Sequence, residues 1–240
     1  MSLPDIKTLY SVCEATWPPA ARSSAGGFTI RDGKQGGKRV SAATLADTLA
    51  QIDLFDAEHA MAALNQPSLF QIREGEDALD ALLETEGYAV VDPVNVWAAT
   101  TETLMTELPP RTVAIPAWEP LQIMKEIWAE GGIGTARIEV MHRVKGPKTG
   151  FLSRWNDKPA GAAFAAMHRG MTMVHAVEIK PEFRRNGLGR WAMRRAAYWT
   201  HENQGHTVSV ICTQDNVAAN ALYQGLGMTR IGSYHYRIKP

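Results

Sequence analysis

Apolar residues recur with helical spacing near the start of the chain. Ile6, Leu9 and Cys13 lie three or four positions apart, which predicts an amphipathic helix over 5–16. Proline has no backbone N–H and cannot continue a helix, so Pro18-Pro19 ends it. Further along, the pattern predicts strands at 28–31, 38–43 and 69–72, helices at 45–52, 56–64 and 76–85, and a strand-rich stretch at 87–100.

The pattern is interrupted between 101 and 120, where four prolines accumulate. Such proline density is typical of a connection between compact units. We therefore expect a domain boundary near 110, with a smaller α/β domain over 1–110 and a second domain over 111–240.

The second part alternates strands and helices. This succession predicts an α/β fold with a mixed sheet. The predicted helices are 121–128, 135–143, 190–203 and 216–226, and the predicted strands are 151–155, 159–167, 171–179, 207–212 and a pair at 228–238.

The two parts share a spacing of apolar residues. Aligning Gly87 with Gly227 superimposes one strand–helix–strand frame on another and indicates a degenerate internal repeat. Any two amphipathic pieces of this kind can align almost as well, so both interpretations stay open. The matched pairs are Ile72 with Cys212, Leu79 with Ala219, Leu82 with Leu222 and Tyr88 with Met228.

Composition and charge exclude several classes of function. A hydrophobic fraction of 45% favours a folded globular protein. The 25 basic and 25 acidic residues give a formal net charge of zero, so no overall charge directs the chain to nucleic acid or to an anionic membrane. We therefore expect neither partner.

Cysteine usage and hydropathy favour the cytoplasm. Cys13 and Cys212 are far apart and Cys212 lies in an apolar run, which is typical of buried thiols in a reducing compartment. The N-terminus lacks a signal-peptide pattern, and the longest apolar stretch, 160–167, is too short to cross a bilayer. No zinc-ligand spacing occurs, so we expect no metal.

The stretch from Arg184 to Gly189 is the strongest candidate for ligand binding. It joins a predicted strand to a predicted helix, and Gly187 and Gly189 allow the backbone to turn sharply and approach a ligand. Unpaired N–H groups at a helix N-terminus favour a phosphate or pyrophosphate, although a glycine pair can also serve only as a turn. A second glycine-rich turn, 32–37, lacks the Gly-Lys-Ser/Thr ending of a phosphate loop, and we interpret it as a hairpin loop.

Two motifs together resemble the GNAT superfamily of acyl-CoA N-acyltransferases. Arg184, Gly187 and Gly189 match the family pattern Arg/Gln-x-x-Gly-x-Gly/Ala. The second pattern, Asn-x-x-Ala-x-x-Leu-Tyr followed by Gly-Phe, departs only at Met228. It is matched by Asn216, Ala219, Leu222, Tyr223 and Gly227.

The resemblance is specific over 151–238 and faint over 1–108. In the N-terminal repeat Leu83 stands in place of the tyrosine and Glu76 in place of the asparagine, so this part resembles at most a degenerate, non-catalytic GNAT-like copy. The resemblance implies a GNAT-like fold in which the central strands 171–179 and 207–212 splay apart, preceded by the smaller N-terminal domain.

The resemblance also implies an acetyltransferase that uses acetyl-CoA and a small-molecule or peptide amine. Tyr223 is carried over as the acid that protonates the leaving thiolate. The amides of 185–190 would hold the pyrophosphate of coenzyme A. The implied cofactor-binding residues are Val177, Ile179, Arg184, Arg185, Asn186, Gly187, Leu188, Gly189, Arg190, Asn216 and Asn220.

The general base is not fixed by the sequence. His175 shares a strand face with Val177 by the period-two rule, and an imidazole suits proton removal near neutral pH; a satisfied core histidine is equally consistent. Glu178, expected on the opposite face, and water are the other candidates. A non-catalytic acyl-CoA-binding module and a nucleotide-binding domain are alternative functions. The sequence does not identify the acceptor, and it does not distinguish a monomer from a homodimer.

Overall fold

The computed structural model describes residues 2–46 and 48–239; Met1 and Pro240, at the ends of the predicted domains, and Asp47, inside a predicted helix, lie outside the described residues. The N-terminal part contains α1 (Ile6–Thr16), β1 (Ala21–Ala25), β2 (Phe28–Asp32), α2 (Lys38–Ser41), β3 (Thr44–Leu45), α3 (Leu54–Ala63), β4 (Leu69–Arg73), α4 (Asp77–Thr85) and β5 (Ala89–Thr100). The C-terminal part contains α5 (Thr101–Leu104), β6 (Ala114–Ala117), α6 (Gln122–Glu130), α7 (Thr135–Arg143), β7 (Lys148–Trp155), β8 (Lys158–His168), β9 (Met171–Ile179), α8 (Leu188–Glu202), β10 (Thr207–Thr213), α9 (Val217–Gly225) and β11 (Thr229–Ile238).

The first predicted helix is confirmed as α1. The Asp5 carboxylate caps it by accepting a hydrogen bond from the Thr8 amide at 2.7 Å. Leu9 and Val12 are fully buried, so packing against the sheet stabilises the helix. The predicted helices at 56–64, 76–85, 121–128, 135–143, 190–203 and 216–226 are confirmed to within two residues at each end.

Three predicted elements are wrong. Residues 38–43 are not a strand but contain α2, because both edges of β2 are already occupied by β1 and β3. The predicted helix at 45–52 is reduced to a 3-10 turn at Leu49–Gln51, since Thr44–Leu45 pairs with β2. The predicted strand pair at 228–238 is the single strand β11.

Eight strands form one mixed sheet in the order β4-β11-β5-β10-β9-β8-β7-β6. Within it β9 and β10 run parallel and the other neighbouring pairs run antiparallel. β1, β2 and β3 form a smaller antiparallel sheet, which reaches β4 through a parallel bridge between Ala43 and Phe70. The expected mixed α/β fold is therefore confirmed.

Helices cover both faces of the large sheet. On one face Met193 of α8 packs against Val174 of β9. On the other face Trp128 of α6 and Trp17, just after α1, pack against Phe164 of β8. Trp128 and Phe164 are fully buried, and removing each from water contributes about 2–3 kcal/mol. No described helix has the length and apolarity needed to span a bilayer.

The internal repeat is visible element by element. Aligning Gly87 with Gly227 maps α4 onto α9 without a gap, and maps β4 and β5 onto β10 and β11. Both glycines adopt a left-handed backbone, with φ of 84° and 78°, which glycine does without steric strain. The two strand–helix–strand units therefore share their helix bounds and the turn that follows.

Strand pairing obeys the same symmetry. β5 and β11 lie side by side, and each unit inserts its last strand between the two strands of the other. Leu69 of β4 pairs with Ile238 of β11, just as Ser209 of β10 pairs with Ala98 of β5. At the other end, the pair Arg73–Tyr234 is equivalent to the pair Thr213–Val94. The sheet thus runs continuously across the predicted boundary at 110, because β5 is paired on both edges by C-terminal strands; the division into domains stays a prediction about sequence units.

The N-terminal part repeats the strand order of the C-terminal part in reduced form. β1, β2 and β3 pair antiparallel, as β7, β8 and β9 do. Ala43, just before β3, makes a parallel contact with β4: its amide donates to the Leu69 carbonyl, and its carbonyl accepts from the Gln71 amide. This contact corresponds to the longer parallel pairing of β9 with β10.

Candidate active site

A gap opens in the sheet where β9 and β10 part. Their parallel pairing extends only from Met171–Thr207 to Val174–Val210. Beyond it β9 continues along β8 as far as Ile179, while β10 continues along β5. The two central strands therefore splay apart at their carboxyl ends, which exposes backbone groups to a ligand.

A β-bulge at Ala176 redirects the side chains that face this gap. Phe164 pairs with His175 and Ala162 pairs with Glu178, so that β9 has one residue more than β8 between these two pairs. Ala176 has φ of 51°, and its carbonyl accepts a hydrogen bond from the Trp128 indole N–H at 2.8 Å. The extra residue shifts the alternation of the strand by one position.

The bulge makes the predicted face assignment of His175 wrong. Residues opposed across an antiparallel pair point to the same side, so His175 and Glu178 share the face of Phe164, towards α6. Val177 instead packs with Val174 against α8. Strict period-two alternation places His175 with Val177, and a single inserted residue reverses that.

A cavity of about 900 Å³ opens at the gap on the side of α8 and α9. The end of β9, the loop that precedes α8, and the first turns of α8 and α9 form its walls. It is lined by Val177, Glu178, Ile179, Pro181, Glu182, Phe183, Arg184, Arg185, Gly187, Leu188, Gly189, Arg190, Asn216, Ala218, Ala219 and Leu222. The structure therefore brings most of the predicted cofactor-binding residues together around one space.

The N-terminus of α8 supplies donors for an anion. Gly187 caps the helix with φ of 78°, and its carbonyl accepts the first helical bond from the Trp191 amide at 3.0 Å. The amides of Leu188, Gly189 and Arg190 therefore have no partner within the helix and carry the positive end of its dipole. A Cβ at Gly189 would lie 2.8 Å from Leu222 Cδ2, so glycine permits the close approach of α8 to α9.

The arginines of this loop differ in their partners. Arg184 bonds to the Ile179 carbonyl through Nε at 2.9 Å and to the Glu178 carboxylate through Nη2 at 3.2 Å. Within the described chain, Arg185 and Arg190 form no ion pair. They remain available for a phosphate, whereas Arg194 is bound to Glu107 and Arg195 to Glu202.

The three predicted asparagines play different parts. Asn186 does not line the cavity; its amide donates to the Phe183 and Arg184 carbonyls and fixes the loop. Asn216 lines the cavity and caps α9 by accepting from the Ala219 amide at 3.0 Å. It therefore precedes the helix rather than sharing a helical face with Asn220.

Asn220 points into the protein instead of into the cavity. Its side-chain oxygen accepts hydrogen bonds from Asn95 Nδ2 at 2.9 Å and from the Trp97 indole at 3.1 Å. Its amide nitrogen donates to the Thr213 and Asn216 carbonyls, both at 2.9 Å. Asn220 thus ties the turn before α9 to β5, which the helical spacing of the sequence does not reveal.

Tyr223 lies in the core beneath the cavity. It is 4% exposed and packs beside Trp97, with ring centres 6.5 Å apart. Burial, and secondarily the neighbouring Cys212, raises the pKa of Tyr223, so the phenol keeps its proton at neutral pH. Its helical neighbours Ala219 and Leu222 line the cavity, although Tyr223 itself does not.

His175 is buried on the opposite face of the sheet. Arg39 Nη1 lies 3.0 Å from its Nδ1, and Thr16 Oγ1 lies 2.9 Å from its Nε2. Because arginine can only donate, Nδ1 must accept, and Nε2 carries the proton that bonds to Thr16. Burial, followed by the charge of Arg39, holds the pKa of His175 well below its usual range. This geometry is that of a neutral residue which orients Arg39.

A second cavity of about 250 Å³ opens on this other face. It meets the sheet at Ala176 and Thr213, beside the same gap. It is lined by Trp17, Gly36, Gly37, Lys38, Arg39, Asp92, Val94, Ile133, Arg137, Ala176, Thr213, Tyr234 and Tyr236. The sequence interpretation missed these residues; the only available signal was the glycine-rich turn 32–37, which we interpreted as a hairpin loop.

Residues 117–228 match the model of the acetyltransferase (GNAT) family. An uncharacterized N-acetyltransferase of Bacillus subtilis (strain 168), YobR, is 22% identical over 246 residues, covering 98% of this chain and 99% of that protein. A GCN5-related N-acetyltransferase from Kribbella flavida has a similar structure, with a TM-score of 0.69 at 18% identity, covering 100% of this chain and 97% of that one.

A tandem GNAT protein from the clavulanic acid biosynthesis pathway shares the fold at a TM-score of 0.58 and 14% identity, over 76% of this chain and 67% of that one. The family match supports an acyltransferase of the GNAT class, and the similar structures show the same fold. The match to the GNAT acetyltransferase domain covers residues 117–228, a little less than half of the chain. In the described residues no cluster of His, Cys, Asp or Glu is arranged to hold a metal.

Proposed function

We propose that the protein transfers an acetyl group from acetyl-CoA to the primary amine of a small molecule or peptide by direct attack. One observation carries this proposal. The cavity lined by the α8 N-terminus and the cavity lined by Arg39 reach the sheet on opposite faces at the gap between β9 and β10. Donor and acceptor can therefore meet through the gap without sharing a binding site.

The chain is suited to hold the acyl donor on the side of α8. The free amides of 188–190 and the side chains of Arg185 and Arg190 supply donors and positive charge for the pyrophosphate. The edge of β9 at Val177 lacks a partner strand, so its backbone groups can pair with the pantetheine amides. Acetyl-CoA supplies the activated acetyl group as a thioester.

Two side chains are proposed to move protons. Tyr223 is protonated at neutral pH and gives its proton to the departing thiolate. Glu178 lies at the border of the cavity beside α8, and its side chain, 18% exposed, points to the α6 face beside Gly131. It accepts a proton from the ammonium group of the acceptor, directly or through water, and the neutral amine then attacks the thioester. We do not retain His175 in this role, because Arg39 and Thr16 occupy both of its ring nitrogens.

A screen of amines, amino acids and peptides for release of free thiol from acetyl-CoA tests the proposal. We expect acetyl-CoA to bind in calorimetry and at least one class of amine to release thiol. Gly189→Val should weaken acetyl-CoA binding at least ~10-fold, because the new side chain displaces Leu222. Gly134→Ala, where a Cβ meets open space, is the control. Binding without thiol release from any amine would instead indicate a non-catalytic acyl-CoA-binding module.

A further inference from the structure

We propose that the acceptor is an amino carboxylic acid whose carboxylate is held by Arg39 and Arg137 in the second cavity. This inference rests on the proposed function in calling the ligand an acceptor. Its own basis is a space of about 250 Å³ that contains two arginines without acidic partners.

The charges around this cavity do not balance. Lys38 pairs with Asp92 at 2.7 Å, which accounts for the acidic residue of the lining. Among the described residues, no carboxylate lies within ion-pair distance of Arg39 or Arg137. The cavity therefore carries a net positive charge that a ligand carboxylate would neutralise.

Arg39 is less exposed to solvent than Arg137, so it gains more from a bound anion. Its Nε is fully shielded from solvent and has no hydrogen-bond partner in the described chain. A largely buried guanidinium without a counter-charge is costly, and a ligand carboxylate in the cavity would supply that charge. Contact with His175 fixes one edge of the guanidinium, and the Thr16 hydroxyl fixes His175 in turn. The cation is thus oriented before any ligand binds.

Arg137 closes the cavity from α7. Its guanidinium lies against Gly37, where a Cβ would come within 3.3 Å of Nε and 3.4 Å of Nη2. Gly37 also has φ of 96°, a conformation that strains other residues. The glycine-rich turn 32–37 therefore leaves room for a cation instead of binding a phosphate with its own amides.

The geometry also assigns the orientation of the acceptor. Arg39 and Arg137 come from elements outside the sheet, whereas Ala176 and Thr213 lie on the two strands that border the gap. A carboxylate bound by the arginines directs the amine towards the gap and the thioester. Trp17, Tyr234 and Tyr236 add aromatic surface around the part of the ligand between these two groups.

Matched acceptors test this inference. Thiol release is measured with the standard L-amino acids and with short ω-amino acids such as 4-aminobutyrate, and then with the carboxamide and the decarboxylated amine of the best acceptor. We expect kcat/KM for the acid to exceed that for both analogues without a carboxylate by at least ~30-fold, which is the range of a charge-assisted pair. Equal or faster reaction of these two analogues would overturn the proposal.

Arginine variants test whether Arg39 and Arg137 are the residues that bind the acceptor carboxylate. Arg39→Met and Arg137→Met should each raise the acceptor KM at least ~10-fold and leave the KM for acetyl-CoA unchanged. Arg111→Met, at an exposed arginine that lines neither cavity, is the control and should change neither value. Arg137 is itself exposed on α7, so its variant gives a result even if Arg39→Met fails to fold. Unaltered acceptor KM in Arg137→Met would contradict the assignment.

The failure of this inference can be told from failure of the proposed function. If acetyl-CoA does not bind, or no amine of any kind releases thiol, the acetyltransferase proposal fails and this inference with it. If amines that lack a carboxylate are acetylated as efficiently as amino acids, only the carboxylate assignment fails. A thermal shift of the acetyl-CoA complex by an amino acid, reduced in Arg137→Met, supports binding independently of turnover.

Discussion

The two strand–helix–strand units of this chain have the same geometry and different chemistry. Asn220 of α9 accepts hydrogen bonds from Asn95 and Trp97 of the opposing unit. At the equivalent place in α4, Asp80 accepts from His235 and Arg237, both at 2.7 Å. The positions correspond one by one, so each unit anchors its helix to the inserted strand of the other. The interlocking is preserved although the polar groups that form it have changed.

The units differ where a ligand would bind. The C-terminal unit has Asn216 as a helix cap that faces a large cavity and Tyr223 beneath it. The N-terminal unit has Glu76 at the cap position, which forms no side-chain cap of the α4 N-terminus, and the fully buried Leu83 in place of the tyrosine. This contrast indicates that packing and strand register have kept the repeat symmetric, whereas only the C-terminal copy has the residues that we propose for acyl transfer.

The largest expected effect is a loss of stability when the side chain that ties each helix to the opposing unit, Asp80 or Asn220, is removed. Asp80→Ala removes the carboxylate from Arg237, whose side chain is 6% exposed, and should lower the free energy of unfolding by about 3 kcal/mol. Asn220→Ala removes neutral hydrogen bonds and should cost about 1–2 kcal/mol. Urea denaturation of both variants measures the difference. Equal losses would mean that charge adds nothing to the N-terminal anchor.

Tyr223→Phe tests whether the C-terminal unit contributes the proton donor that the N-terminal unit lacks. Loss of the proton donor should lower turnover at least ~10-fold while acetyl-CoA affinity stays within about twofold. Leu83→Met, at the equivalent buried position of the other unit, is the matched control and should leave turnover unchanged. Steady-state kinetics with an identified acceptor gives the answer, and undiminished turnover in the phenylalanine variant would return Tyr223 to a purely structural role.

His175 should make stability depend on pH. Its pKa is lowered in the folded state by burial and by Arg39, so the unfolded chain binds a proton that the folded chain does not. Stability is therefore complete above pH 6.5 and should fall by up to ~1.4 kcal/mol per pH unit below it. In His175→Gln this part of the slope between pH 6.5 and 5 should disappear. Denaturation curves at several pH values test this, and an unchanged slope would show that His175 does not cause it.

The smallest effect concerns the equivalent turns. Gly87→Ala and Gly227→Ala each place a Cβ on a residue with positive φ and should cost about 1 kcal/mol. A Cβ at Gly87 meets open space, whereas one at Gly227 lies 3.2 Å from Thr103, so the second variant should be slightly less stable. Thermal melting of the pair measures this, and a large loss in only one would reject the equivalence of the turns.

The sequence predicts local features well where one periodicity extends over several turns. Most of the helices follow from spacing alone, the same spacing indicates the Gly87–Gly227 repeat, and the loop 184–189 follows from its two glycines. The exchange of β5 and β11 does not, because strand order depends on contacts between residues far apart in the chain. A proline-rich stretch at 101–120 predicts a connection but carries no information on which strands pair.

In the candidate active site, too, the sequence predicts local features but not contacts between distant residues. The amides and arginines of the donor cavity are local to one loop, so their motif predicts them. The period-two pattern places His175 on the wrong face of the sheet, because the pattern does not reveal the bulged residue Ala176. Arg39 and Arg137 reach the second cavity from separate elements and belong to no motif. Their role depends on tertiary packing, which spacing in the sequence does not encode.

The pattern of initial velocities tests the central claim most directly, once a carboxylate-bearing acceptor is in hand. If donor and acceptor occupy opposite faces of the sheet and react by direct attack, both must be bound together. Double-reciprocal plots against acceptor at several acetyl-CoA concentrations should then intersect. Parallel lines would indicate a covalent acetyl-enzyme and ping-pong kinetics, and would contradict transfer through the gap between β9 and β10.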